Sequence, residues 1–169
     1  ISSEMSVDLI MEEARWKTLN LLQIANAAFK ETLSHLNMRS ENFICCILAC
    51  NSKKIKGLNA QFRGKNNSTN VLSFPSTTKI YKAIGIPKFE AHVDPFELGN
   101  IAIAYEVCKK EARFSKIDFE HHVYHLIVHS VLHLLGYEHE EEKKAAEMEK
   151  IEVQVLAKLG ISNPYLNKL

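Results

Sequence analysis

The stretch HLIVHSVLHLLGYEHEEE, residues 125–142, predicts a helix that ends in a sharp turn. We place the helix from about Asp118, a suitable N-cap residue, to Leu135. Gly136 follows, and glycine readily adopts the left-handed conformation that ends a helix and turns the chain back. Six of the eight histidines of the chain lie between His121 and His139, so the chemistry near neutral pH is expected there.

The spacing of the histidines predicts a metal site. Residues four apart on a helix project from one face about 6 Å apart along the axis, which suits two imidazoles that share one ion. The helix can therefore offer His125 with His129, or His129 with His133. His125 and His133, about 12 Å apart, cannot readily meet at one ion. The turn after the helix can bring His139 toward the second pair and so favours it.

Three neutral imidazoles leave one coordination position open, which is typical of catalytic zinc sites, whereas structural sites are usually closed by cysteines. A zinc protease of the H-E-x-x-H kind would need glutamate at position 130 as its general base, and the chain has Ser130 there. Single helix histidines are more often polar surface residues or hydrogen-bonded core residues, and we interpret three others in that way: His121, His122 and His125.

The composition predicts one globular domain over residues 1–169. Hydrophobic residues make up 46% of the chain, charged residues 24%, and the net charge is +1. These values exclude a disordered chain and give no overall signature of nucleic-acid or membrane binding. The first ten residues lack the positively charged start and apolar core that are typical of a signal peptide, and no apolar run approaches about 20 residues, so we expect a cytoplasmic protein with no membrane partner.

The hydrophobic patterns predict an α+β fold, in which a small mixed β-sheet packs with about five helices and the zinc site lies between a helix and the following loop. Residues 76–96, with two prolines and no clear period, are expected to form a long excursion. The predicted strands cover residues 6–12, 41–50, 71–75 and 99–106; the predicted helices cover 14–34, 58–64, 105–115, 118–135 and 140–159.

Two further groups of residues stand out. The four cysteines form no C-x-x-C pair and are interpreted as small apolar residues, most of them in a buried strand. A basic segment without acidic residues runs from Lys53 to Lys65 and is the candidate patch for a nucleic-acid backbone. Its positive residues are Lys53, Lys54, Lys56, Arg63 and Lys65.

Four segments of the chain resemble the YbeY family of bacterial rRNA maturation factors. HSVLHLLGYEH, residues 129–139, is similar to the signature H-G-x-L-H-L-x-G-Y-D-H. LNAQFRGKNNSTNVLSFP, residues 58–75, resembles L-N-x-x-x-R-G-x-x-x-x-T-[DN]-V-L-S-F-P. LGNIAIA, residues 98–104, resembles L-G-D-I-x-I, and LGISNPY, residues 159–165, resembles the usual C-terminus of the family.

The resemblance implies a zinc-dependent, single-strand-specific endoribonuclease that trims precursor rRNA near the 3′ end of the small-subunit rRNA and supports ribosome quality control. It implies one Zn²⁺ per chain, held by His129, His133 and His139, with His129 and Arg63 acting in catalysis. Its partners would be single-stranded precursor rRNA, the small ribosomal subunit and assembly factors. A guanidinium also matches a phosphodiester bidentately, which supports a functional Arg63 independently. The four lysines are interpreted as a solvated face with some RNA-backbone contact.

The chain departs from the family pattern at three positions. Ser130 replaces glycine, Glu138 replaces aspartate before the third histidine, and Asn100 replaces the aspartate of L-G-D-I. If that aspartate orients a metal ligand, activity is expected to be lower here. Two alternatives remain open from the sequence: a ribosome-assembly binding factor with a structural metal, and a zinc hydrolase of peptides or small molecules, against which the missing glutamate counts.

Overall fold

The computed structural model describes residues 6–76 and 95–166. Within them the chain forms four strands, five α-helices and two 3₁₀ helices, which confirms the predicted α+β class. The strands are β1 (Val7–Met11), β2 (Phe43–Cys50), β3 (Val71–Pro75) and β4 (Phe96–Ala104); the α-helices are α1 (Leu21–His35), α2 (Ser52–Arg63), α3 (Tyr105–Ser115), α4 (Phe119–Leu134) and α5 (Glu142–Lys158); the 3₁₀ helices are Ala14–Thr18 and Ser40–Asn42.

The four strands form one mixed sheet in the order β1-β2-β4-β3. β2 pairs in parallel with β1 and with β4, while β3 pairs antiparallel with β4. The apolar run of β2 therefore lies inside the sheet, as its composition predicts. Cys45, Ile47 and Ala49 alternate toward one face and are buried.

The two faces of the sheet carry different helices. The main core joins Ile47 and Ile103 of the sheet to buried residues such as Phe29 of α1 and Ile127 of α4. A smaller core lies on the other face, where Ile55 of α2 packs with Leu72 and other sheet residues. The histidine-bearing helix α4 is therefore fixed against the sheet beside the edge strand β3.

The predicted helix over residues 14–34 is wrong at its start. A 3₁₀ helix covers Ala14–Thr18, and α1 begins only at Leu21. Trp16 is fully buried and its indole N–H donates to the carbonyl of Cys50 at 3.0 Å, which anchors this segment to the sheet. The Asn20 side chain then caps α1 by accepting from the Gln23 N–H at 3.4 Å.

The start of α2 is also corrected. The helix begins at Ser52 rather than near Leu58, because Asn51 is its N-cap and accepts from the Lys54 N–H at 2.9 Å. β4 begins at Phe96, a little before the predicted strand. Most of the predicted excursion, residues 77–94, lies outside the described residues.

Other predictions agree with the structure. α3 covers the predicted range, and Asp118 caps α4 by accepting from the His121 N–H at 3.2 Å. All four cysteines are free; three are buried, and burial raises the pKa of the Cys45 thiol to about 12. No helix in the described parts of the chain combines the length and apolar character that a membrane span requires.

Candidate metal centre

The end of α4 directs the third histidine toward the other two. α4 closes when the Gly136 N–H donates to the His133 carbonyl at 3.0 Å and the Tyr137 N–H donates to the Leu132 carbonyl at 3.0 Å. Gly136 has a φ of 95°, a conformation that residues with a side chain rarely adopt. The chain then turns back over the helix, which places His139 above the last turn of α4.

The structure brings His129, His133 and His139 together. One ligand nitrogen from each histidine lies within 4.8 Å of the others, so this group could hold a metal ion. The Nε2 atoms of His129 and His133 face each other at 3.0 Å. His139 is exposed and the other two are half-buried, so the cluster is open to solvent on one side.

Two of the imidazoles are oriented by hydrogen bonds on their other nitrogen. The Nδ1 atom of His133 lies 2.9 Å from the Tyr137 carbonyl, and Nδ1 of His129 lies 3.1 Å from Oε1 of Glu152. With Nδ1–H donating to these oxygens, Nε2 of each ring is left as the unprotonated ligand atom. This is the usual arrangement of a histidine bound to a metal, and the donor set therefore fits one.

Glu152 of α5 is a site residue that the sequence analysis missed. It is 1% exposed, and Oε1 also lies 2.8 Å from Nε2 of His125. The Tyr165 hydroxyl donates to both carboxylate oxygens at 3.0 and 2.9 Å. A signal existed in the sequence, because Glu152 interrupts the apolar face of α5 between Met148 and Val155, and a buried carboxylate needs partners.

The protonation states favour metal binding at neutral pH. Burial, followed by the neighbouring His129 and His139, lowers the pKa of His133 to about 4. Burial alone would raise the pKa of Glu152, but the hydrogen bonds from His125 and His129 outweigh it and lower that pKa to about 2. A neutral His133 and an ionised Glu152 are the forms that a metal centre requires.

Arg63 lies at the rim of the metal centre. It is the last residue of α2, is exposed, and lines a pocket of about 250 Å³ together with His133 and His139. Arg63 makes no ion pair with any residue that the structure describes. Its guanidinium is therefore available to an anionic group that reaches the histidines.

The four lysines of the basic segment are exposed, and none of them lines the pocket with Arg63, His133 and His139. Lys53 and Lys54 line a separate pocket with Glu12 and Gln61. The structure therefore does not bring these two lysines into the pocket of the metal centre. RNA-backbone contact by the set Lys53, Lys54, Lys56 and Lys65 stays a prediction.

The three departures from the family pattern lie in different environments. Glu138 lines the Arg63 pocket, and its carboxylate is 3.6 Å from the Lys144 ammonium. Asn100 lines an apolar groove on the α2 face of the sheet, away from the histidines. Ser130 is fully buried, so a side chain at this position points into the core.

The described residues thus define a class: an α+β metal-binding protein whose three candidate ligands come from one helix and the loop after it. Comparison with known proteins then identifies its family. The family model described as Endoribonuclease YbeY matches residues 8–160. The chain belongs to this YbeY family.

Individual relatives agree with the family assignment. The chain is 39% identical over 163 residues to the endoribonuclease YbeY of Jannaschia sp. strain CCS1, covering 95% of this chain and 100% of that one. It is 41% identical over 165 residues to that of Ruegeria sp. strain TM1040, covering 96% and 97%. The solution structure of TM1509 from Thermotoga maritima has a TM-score of 0.56 at 21% identity and 91% coverage of both chains, which shows the shared fold.

Proposed function

We propose that this protein is a single-strand-specific, zinc-dependent endoribonuclease of rRNA maturation. Its substrate is precursor rRNA near the 3′ end of the small-subunit rRNA, and its wider role is ribosome quality control. The observation that carries the proposal is the open pocket in which Arg63 lies beside His133 and His139. Family membership supports the reaction class, because the relatives carry the name endoribonuclease.

The proposed cofactor is one Zn²⁺ per chain. His129, His133 and His139 would hold it, since neutral imidazoles suit zinc and the described part of the cluster contains no closing cysteine. When bound, zinc supplies Lewis acidity at the scissile phosphate.

Other residues of the chain would orient the histidines and bind the RNA. Glu152 and the Tyr137 carbonyl fix the orientation of His129 and His133 through their Nδ1 atoms. Arg63 binds the phosphodiester through its planar guanidinium and stabilises the negative charge that builds up on it during cleavage. Lys53, Lys54, Lys56 and Lys65 are the proposed contacts to the RNA backbone outside the centre.

The proposed setting is the cytoplasm, with the small ribosomal subunit and its assembly factors as partners. A zinc hydrolase of the protease type is less well supported, because Ser130 is fully buried and its hydroxyl cannot act as the general base of that class. An assembly factor with a structural metal makes a different prediction, since removal of a structural zinc ion would unfold the protein.

The test is cleavage of an end-labelled, single-stranded rRNA-precursor fragment. His133→Ala should abolish cleavage, and Arg63→Ala should reduce kcat about 10²- to 10³-fold, as loss of a group that stabilises transition-state charge does. His121→Ala is the matched control, because it removes an exposed histidine of α4 that is outside the cluster. Circular dichroism should show a folded protein for all variants and for the wild type in EDTA.

Two outcomes would contradict the proposal. Equal cleavage by the wild type and His133→Ala would point to a contaminating ribonuclease. Unfolding in EDTA, together with no cleavage by the zinc-loaded wild type, would favour the assembly factor with a structural metal.

A further inference from the structure

A second, larger pocket lies on the other side of His129 from the Arg63 pocket. It has a volume of about 1030 Å³ and extends from His129 past His125 and His122, toward the start of α4. The strand β3 runs along both pockets: its first residue, Val71, lines the larger pocket, and its last residue, Pro75, lines the Arg63 pocket. The metal centre therefore lies between two pockets that succeed each other along α4 and β3.

Helix α3 supplies the outer wall of this second pocket. Lys110, Arg113 and Phe114 line it, and their spacing of three and four residues places them on one face of the helix. Phe114 is 89% exposed, an unusual position for a large aromatic side chain. Lys110 and Arg113 are also accessible to solvent, and neither pairs with an acidic residue in the described chain.

The Glu111 carboxylate, which also lines this pocket, already has hydrogen-bond partners. Glu111 accepts a hydrogen bond from Nδ2 of Asn70 at 3.1 Å, and its Oε1 lies 3.0 Å from Nε2 of His122. Glu111 is therefore held by these two partners, and it leaves the charges of Lys110 and Arg113 available. The wall thus presents two cations and one aromatic ring to whatever enters the pocket.

We infer that this pocket is a subsite for unpaired nucleotides, in which a base stacks on Phe114 and the adjacent phosphates lie against Lys110 and Arg113. Proteins that bind single strands combine such a basic groove with an exposed aromatic ring. The volume of about 1030 Å³ lies just above the range of roughly 300–1,000 Å³ for small-ligand pockets, enough for more than one nucleotide. The inference rests on the proposed function for the identity of its ligand, RNA. In it, α3 binds the part of the RNA that lies beyond the cleavage point.

The test measures binding of a fluorescein-labelled, single-stranded RNA of about 12 nucleotides, a length within the site sizes of single-strand binding proteins, by anisotropy. Every variant is made in a His133→Ala background so that no strand is cut. Phe114→Ala should weaken binding roughly 5- to 150-fold, as the loss of one stacked base does, and Phe114→Tyr should restore it. Phe62→Ala is the matched control, because Phe62 is also exposed but lines the apolar groove on the sheet.

The phosphate interactions have their own test. Lys110→Gln with Arg113→Gln should reduce the slope of log affinity against log salt by about 0.7 for each phosphate that is no longer neutralised. Lys17→Gln with Lys150→Gln removes the same charge from exposed positions outside the pocket and should leave the slope nearly unchanged. Equal slopes for the two double variants would refute the phosphate interactions.

The outcomes separate this inference from the proposed function. The subsite would be refuted if Phe114→Ala bound RNA within about twofold of its parent, because one stacked base has a larger effect. This outcome holds whether or not the zinc-loaded protein cleaves RNA. Weakened binding by Phe114→Ala in a protein that never cleaves RNA would keep the subsite and refute the nuclease. In a protein that does cleave, Phe114→Ala should raise KM and change kcat little, because stacking away from the scissile bond contributes equally to ground and transition states.

Discussion

Replacement of Glu152 by glutamine should weaken zinc binding about tenfold without unfolding the protein. The carboxylate accepts from His129, lies close to His125, and is bridged by the Tyr165 hydroxyl. Glutamine keeps the volume and one oxygen acceptor, so the packing of α5 against α4 should survive. It removes the negative charge that makes the His129 imidazole a better ligand.

The magnitude follows from what remains of this network. Loss of such an outer partner costs about 10- to 100-fold in metal affinity, or about 1.4 to 2.7 kcal/mol. The amide oxygen of glutamine can still accept from Nδ1 of His129, whose distance to Oε1 is 3.1 Å in the wild type. The lower end of the range is therefore expected for Glu152→Gln, and the upper end for Glu152→Ala, which leaves Nδ1 without an acceptor.

The assay is a competitive titration of the metal-free protein with zinc and a chromophoric chelator. Glu149→Gln is the control, since Glu149 is an exposed carboxylate on the same helix and makes no hydrogen bond with the described histidines. Thermal unfolding of the metal-free proteins checks that each variant is folded. Zinc affinities of Glu152→Gln and Glu149→Gln that both match the wild type would refute the positioning role of Glu152.

Three further predictions concern stability. In EDTA the urea midpoint should fall as the pH is lowered from about 6.5 to about 4. Folding lowers the pKa of His133 from its ordinary value of 6.5 to about 4, so the unfolded chain binds the proton first. His133→Ala should flatten this part of the pH profile, and an unchanged slope would contradict the prediction. Below this range Glu152 continues the loss, from pH 4.5 toward about 2. Ser130→Ala should raise the free energy of unfolding by roughly 1 to 2 kcal/mol, seen as a higher melting temperature, because the buried Ser130 hydroxyl has no hydrogen-bond partner among the described residues. Gly99→Ala should lower the free energy of unfolding, measured by urea denaturation, by about 3 kcal/mol. The added Cβ would lie 2.3 Å from the Phe74 carbonyl oxygen, and the φ of Gly99 is 142°. Gly57→Ala is the control and should be neutral or stabilising, because nothing lies within 4 Å of its added Cβ.

The sequence predicted correctly those elements that depend on interactions between residues close together in the chain. The Asp118 cap, the four-residue histidine spacing and Gly136 each act within a few residues, and the structure has α4 and its turn where these signals place them. The start of α1 was missed because Trp16 anchors its segment to the Cys50 carbonyl, a contact 34 residues away in the sequence. The cap at Asn20 was visible in the sequence and would have placed the boundary correctly.

The candidate site shows the same division. The three histidines lie within eleven residues, and their approach follows from helix geometry and one turn. Glu152 reaches His129 from another helix, and Tyr165 reaches Glu152 from beyond the end of that helix. Pairings across packed helices depend on the tertiary fold, which a pattern along the chain does not contain.

The order of the elements along the chain has a consequence for newly made protein. β4 pairs with β2, which lies far earlier in the sequence, so the middle of the sheet is completed only after Ala104 has left the ribosome. The imidazole of His129 gains its carboxylate partner later still, when Glu152 of α5 is in place. An unfinished copy that ends before α5 thus contains Arg63 and the three histidines, but it lacks the carboxylate that orients the His129 imidazole.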